Sequence, residues 1–168
     1  MMRTPLSDSD LKKILGDDLK IVVCSDLSKL SNLRELLPNE RDCVVILYDE
    51  KELSGHWTCL TRDGDLFTSF DSYGLKPDAE LRWLSFEMRR RLNELTSYLT
   101  KLLSNENYFQ QDDSKIETCG DHVCAFLCSF RNYSMDLERY QGYMKYLKRL
   151  VKQPYDCIVA EFVAETLK

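Results

Sequence analysis

One histidine, one carboxylate and one cysteine stand in the order His56, Asp71, Cys119, within S-G-H-W-T-C-L, F-T-S-F-D-S-Y-G and E-T-C-G-D-H-V-C-A-F-L. These side chains are the parts of a thiol-nucleophile triad: a sulfur that attacks, a base that takes its proton, and an acid that orients the base. Two histidines are present, so the base is His56 or His122. His122 follows Cys119 by three residues on the same expected helix. Nothing in its surroundings would orient it, and it reads as structural or exposed.

Thr118-Cys119-Gly120-Asp121 has the form of a helix start, with Thr118 as N-cap and Asp121 as the reciprocal partner. That puts Cys119 in a first helical turn, where the partial positive charge of the helix end stabilises a thiolate. Gly120 leaves room beside the sulfur for a carbonyl, and the N–H groups of the turn can face an oxyanion. A side-chain donor to that oxyanion is also expected. Gln110 and Gln111 stand nine and eight residues before Cys119 in a polar stretch. Residue types alone leave plainer roles open: a structural histidine, a packed cysteine, and Asp71 as a turn residue in D-S-Y-G.

The elements that must position these groups are legible in outline. Asp63-Gly64 is a strong turn signal between two alternating runs, His56–Thr61 and Leu66–Asp71. A hairpin there brings His56 and Asp71 to the same end of adjacent strands, as direct or diagonal neighbours. Trp57 then falls on the opposite strand face or over the rim of the site. Cys43–Tyr48 is a continuous apolar run and reads as a strand buried on both faces. Lys20–Cys24 reads as extended. Residues 6–15 read as a helix capped by Ser7 or Asp8, and Leu27–Leu37 as a helix closed by Pro38. Asp78 is expected to cap a helix carrying Leu81, Leu84, Met88, Leu92 and Leu95, continued or restarted at Tyr98–Leu103. Residues 104–117 read as a polar loop with one short extended piece. Helices are expected at about Cys119–Tyr133, with Val123, Phe126, Leu127 and Phe130 inward, and at about Asp136–Val151. A last helix, capped by Asp156, carries Ile158, Phe162 and Val163.

At 168 residues, 43% of them apolar and 30% charged, one domain over 1–168 is expected. There is no run of about eighteen apolar residues to span a membrane, and no apolar signal region at the N-terminus. The net charge of −5 argues against nucleic-acid binding as the main activity. Arg89-Arg90-Arg91 and Lys145, Lys148, Arg149 and Lys152 read as solvated helix faces. Seven cysteines without a secretory signal read as reduced thiols. The spacing C-x4-C-x3-C at Cys119, Cys124 and Cys128 is not a usual zinc pattern, so no metal is expected. Cys124 and Cys128 read as core residues.

The combination G-H-W-T-C-L, F-D-S-Y-G-L-K-P-D-A-E-L-R-W-L, a Gln-bearing loop and T-C-G-D-H-V resembles the adenovirus-type cysteine proteases. Those of virophages, Polinton-type elements and large DNA viruses are the most similar. The resemblance covers roughly residues 42–130, and the same clan holds the SUMO, NEDD8 and ubiquitin-directed proteases. It implies an α+β, papain-like fold: a central mixed sheet flanked by helices, with the nucleophile at a helix N-terminus. It implies His56 as base, Asp71 as orienting acid, Cys119 as nucleophile and Gln111 as oxyanion donor. The family's Gln stands six or seven residues before its Cys, so the loop here carries an extra residue. The function implied is a viral endopeptidase needing no cofactor and cleaving capsid precursors after small residues during virion maturation. Its setting would be inside an infected cell, with packaging in the virion and an activating peptide left open. A SUMO- or ubiquitin-directed isopeptidase is the alternative within the clan, and an inactive binding module the alternative of another class.

Overall fold

The computed structural model describes residues 6–51, 54–83, 85–91, 97–110 and 119–168. Its chain order is α1 (Asp8–Leu15), β1 (Lys20–Val23), a 3-10 turn (Cys24–Lys29), α2 (Leu33–Leu36), β2 (Cys43–Lys51), β3 (Ser54–Asp63) and β4 (Leu66–Asp71). A second 3-10 turn (Ala79–Trp83), α3 (Phe86–Arg91), α4 (Tyr98–Leu103), β5 (Asn107–Gln110), α5 (Cys119–Tyr133), α6 (Leu137–Val151) and α7 (Tyr155–Thr166) follow.

The strands form one sheet in the order β1-β2-β3-β4-β5. The two inner pairings, β2–β3 and β3–β4, are antiparallel, and the outer strands β1 and β5 pair in parallel. The fold is thus α+β, a mixed sheet with helices on both faces. Alternation along β2 explains why the run at Cys43–Tyr48 is apolar throughout. Val44, Ile46 and Tyr48 face one core, shared with α2, α4 and Leu60 and Phe67 of the hairpin. Val45 faces the other, shared with α1, α5, α6 and α7. Each fully buried side chain of this kind stabilises the fold by roughly 1.5–3 kcal/mol.

Three expectations about helices are corrected. The leucine period at 27–37 is split into the first 3-10 turn and α2. The break is at Asn32, whose carboxamide accepts from the N–H groups of Arg34 and Glu35, while Glu35 takes the N–H groups of Ser31 and Asn32. That capping box starts a new helix where periodicity alone would continue the old one. Asp78 does not cap the segment that follows it. It sits at φ +63°, buried, and takes hydrogen bonds from the Tyr48 hydroxyl (2.8 Å), Thr100 N (2.7 Å) and Thr100 Oγ1 (2.8 Å). It therefore caps α4 from across the molecule. The segment after it forms the second 3-10 turn and α3; Leu84, Leu92 and Leu95 lie outside the described residues. In α7 the N-cap is Pro154, with Asp156 in the first turn. Val159 and Val163 are the buried residues there, and Phe162 is 38% exposed.

Other expectations match the structure. Ser7 caps α1 in a reciprocal box with Asp10, and Asp136 caps α6 through Arg139 N. β5 is the short extended piece of the polar stretch. Val123, Phe126, Leu127 and Phe130 are buried along α5. No helix among the described residues is long and apolar enough to cross a membrane.

Candidate active site

The hairpin sets the geometry. Asp63 pairs with Leu66 across a turn in which Gly64 takes φ +59°, a left-handed value that favours glycine. Counting back from that turn, Asp71 stands opposite Thr58. His56 is two residues beyond, on the same strand face as Thr58, and so is the diagonal neighbour of Asp71. His56 Nε2 lies 2.9 Å from Asp71 Oδ1, and both side chains are buried, at 2% and 5% exposure. A carboxylate only accepts, so Nε2 carries the proton of this bond. Nδ1 is then the ring nitrogen through which the imidazole would exchange a proton with a substrate or a thiol.

Asp71 is also a turn residue. Its Oδ1 accepts from Tyr73 N (2.7 Å), and its carbonyl accepts from Gly74 N (2.9 Å), with Gly74 at φ +69°. One oxygen closes the turn after β4 and holds the imidazole, so the two roles weighed for Asp71 coincide. The turn delivers a further group. The Tyr73 ring stacks on the His56 ring with centroids 4.4 Å apart and planes 15° from parallel. Sequence reasoning gave Tyr73 no role; the available signal was an aromatic two residues after the carboxylate in a tight turn.

Cys119 is the first residue of α5, and Asp121 is buried in the same turn. The side chain of Cys119 is outside what the structure describes, as are Thr118 and Gln111 altogether. The backbone of the helix start is fixed through Gly120. A Cβ there would lie 3.2 Å from Leu6 Cβ and 3.3 Å from Trp57 Cδ1. Trp57 is buried and its Nε1 donates to Leu6 O (3.1 Å). The first turn of α5 therefore abuts the residue that follows His56. The space expected beside a sulfur at Gly120 is filled by Leu6 and Trp57, so glycine here permits close helix–strand packing. Trp57 takes the strand face opposite His56, against α5. Gln110 ends β5, its backbone beside Ser69 of β4. Since β5 runs parallel to β4, the chain leaves it at the end of the sheet where His56 and Asp71 stand.

His122 is buried in the core, edge-on to Phe70 (4.9 Å, 89°) and tilted against Tyr140 (5.5 Å). Neither ring nitrogen has a hydrogen-bond partner among the described residues. Burial pushes its pKa from 6.5 down to about 3, so it is neutral at pH 7. It is a packing residue, and His56 is the histidine that carries an orienting carboxylate. Several other thiols are held protonated by burial. The pKa of Cys43 is pushed up to about 11, and those of Cys59, Cys124 and Cys128 are also raised. Among the described residues no three His, Cys, Asp or Glu side chains cluster as a metal site.

No protein-family profile matches the chain. Among solved structures it is similar to that of "SUMO protease Ulp1 with the catalytic cysteine oxidized to a sulfinic acid". That superposition covers 99% of this chain and 80% of the other, at 16% identity and a TM-score of 0.45. Among curated proteins it is similar to uncharacterized protein V9 of Sputnik virophage, with 32% identity over 127 residues, 70% of this chain and 72% of that protein. On that identity and coverage, the chain belongs to the same family as the virophage protein V9.

Proposed function

We propose that the protein is a cysteine endopeptidase of a DNA virus or virophage that processes capsid precursors after small residues during virion maturation. The observation that carries this reading is the buried His56–Asp71 pair, 2.9 Å apart, at the end of the sheet against which α5 begins with Cys119. The order and context of these residues, and the kinship with a virophage protein, support the viral setting.

In this mechanism Nδ1 of His56 takes the Cys119 proton, and the thiolate adds to the scissile carbonyl. The oxyanion is held by the Cys119 backbone N–H and the Gln111 side chain. The imidazolium, stabilised through Nε2 by Asp71, gives its proton to the departing amine. An acyl-enzyme remains. Water, deprotonated by His56, adds to it and releases the acid and the thiol. The chain would act on a polypeptide inside an infected cell, and no step calls for a metal or organic cofactor.

The test is co-expression of a virophage capsid precursor with the wild type and with Cys119→Ala, followed by mass spectrometry of the capsid protein. New termini after Gly or another small residue, present only with the wild type, are expected. Fluorogenic ubiquitin and SUMO substrates, run beside it, distinguish an isopeptidase. The same fragments with both proteins, and no turnover of either conjugate, would remove the proposal.

A further inference from the structure

Among the described residues, Asp71 and Tyr73 both hold the His56 imidazole, and the proposed reaction uses Asp71 alone. Asp71 holds the ring in its plane, through Nε2. That bond does not by itself resist rocking of the ring about its own axis. Tyr73 covers a face of the ring at 4.4 Å and 15°, a stacked geometry that resists rocking. Tyr73 is itself pinned, because its N–H donates to the same carboxylate oxygen that His56 uses. The turn therefore couples the two restraints: Asp71 Oδ1 sets the height of the imidazole and the position of the tyrosine against it.

We propose, on the reading of this site as a cysteine peptidase, that Tyr73 is a positioning residue. Its ring keeps the imidazole in the plane shared by Asp71 and the thiol, and its π face stabilises the imidazolium that forms when Cys119 loses its proton. The aromatic face carries partial negative charge, so a stacked cation is favoured over the neutral ring. Among the described residues, the other titratable groups on the elements around His56 include Asp49 of β2, in register with Gly55, and Lys76, which lines a small pocket with Asp71. β4 supplies Asp71, and the first turn of α5 supplies Cys119 and Asp121. β2 places Tyr48 opposite His56 in register, with its hydroxyl bonded to Asp78. The face-on aromatic contact is made by Tyr73.

The test uses the full-length protein with Tyr73→Leu, which keeps bulk and removes the ring, and Tyr73→Phe, which keeps the ring. Tyr73→Leu is expected to lower kcat about 10-fold with KM within about twofold, as a small misplacement of a catalytic group does. The alkaline limb of its pH–rate profile, which reports loss of the imidazolium, should move about half a pH unit lower. Tyr73→Phe should restore most of the lost rate and return the limb. A second readout needs no turnover. His122 is neutral over the working range, so any imidazole signal that titrates there by NMR is that of His56. Its midpoint should fall by about half a unit in Tyr73→Leu and recover in Tyr73→Phe. An unmoved midpoint, or equal losses in the two variants, overturns the role of Tyr73. A shifted midpoint in a protein whose wild type cleaves nothing instead overturns the peptidase reading and leaves the hold of Tyr73 on His56 intact.

Discussion

Asp71 stands opposite Thr58, yet its carboxylate reaches His56 two residues further along β3. The reach is diagonal and fixed by where the hairpin turns. It predicts that Asp71→Asn, isosteric but uncharged, keeps the fold while losing the hold on the Nε2–H tautomer. Removing the analogous carboxylate elsewhere costs about 10⁴ in kcat; in this buried site a loss of about 10²–10⁴ is expected, against near-complete loss for His56→Ala. Steady-state kinetics with an unchanged circular dichroism spectrum checks it, and wild-type turnover by Asp71→Asn would reduce the carboxylate to a turn residue.

Thiol reactivity should sort by burial. Cys43, Cys59, Cys124 and Cys128 all have raised pKa values. Iodoacetamide at neutral pH is expected to label Cys119 at least about tenfold faster than these four, because only the thiolate reacts. Peptide mapping after brief alkylation gives the order. Faster labelling of one of the four, with activity kept, would remove Cys119 as nucleophile.

At Gly120 two effects oppose each other. Alanine in a helix gains about 0.5–1 kcal/mol over glycine. Its methyl, however, meets Leu6 and Trp57 at 3.2 and 3.3 Å, and overpacking of this sort costs about 1–3 kcal/mol. Trp57 is tied by its Nε1 bond to Leu6 O, so it yields poorly. A net loss of roughly 1 kcal/mol is expected, with a fall in kcat of tenfold or more as the helix start moves off β3. Urea denaturation and kinetics measure the two; full activity would show that α5 tolerates the shift.

Stability should depend on His122 below neutral pH. Its folded pKa, about 3, lies below its unfolded value near 6.5, so the unfolded chain binds the proton first. The contribution is whole above pH 6.5 and is lost as pH falls toward 3, at about 1.4 kcal/mol per pH unit. His122→Phe removes that slope. Urea titrations at pH 7 and pH 4.5 should show a wild-type loss roughly 2–3 kcal/mol larger than that of the variant, with peptidase activity at pH 7 retained. Parallel slopes would mean that the buried ring is hydrated or paired.

Gln111, placed by family spacing, and Gln110, which ends β5, point to opposite sides if the chain stays extended between them. Gln111→Ala is expected to lose about 10²–10³ in kcat, as removal of one oxyanion donor does, and Gln110→Ala to stay near wild type. The reverse pattern would transfer the role to Gln110.

The parts of the site that could be read in the sequence are the local ones. Asp63-Gly64 fixes a hairpin, a hairpin fixes register, and register brings His56 to Asp71 with no knowledge of the rest of the chain. The helix expected from about Cys119 opens there, while Thr118, read as its cap, lies outside the described residues. What escaped were contacts made at long range or through an unusual backbone. Asp78 looks like a cap for the residues after it, but a left-handed φ turns it toward Tyr48 and Thr100. Gly120 suggested open space, because Leu6, more than a hundred residues earlier, is not visible beside it in sequence. Tyr73 was in plain view, but stacking depends on a turn geometry that spacing alone does not specify.

The contact of Leu6 with Trp57 and Gly120 bears on how the protein should be handled. The backbone at Leu6 is bonded to Trp57, one residue from His56, and packed on the first turn of α5. Whatever is fused ahead of Leu6 is tethered at that spot. The far terminus is anchored elsewhere: Leu167 O accepts from Lys13 Nζ, near the opposite end of α1. An affinity tag or reporter at the C-terminus starts from that anchor at Lys13, away from Leu6. A tag at the N-terminus is tethered beside the first turn of α5, so preparations tagged at the two ends are to be compared before inactivity is ascribed to the chain.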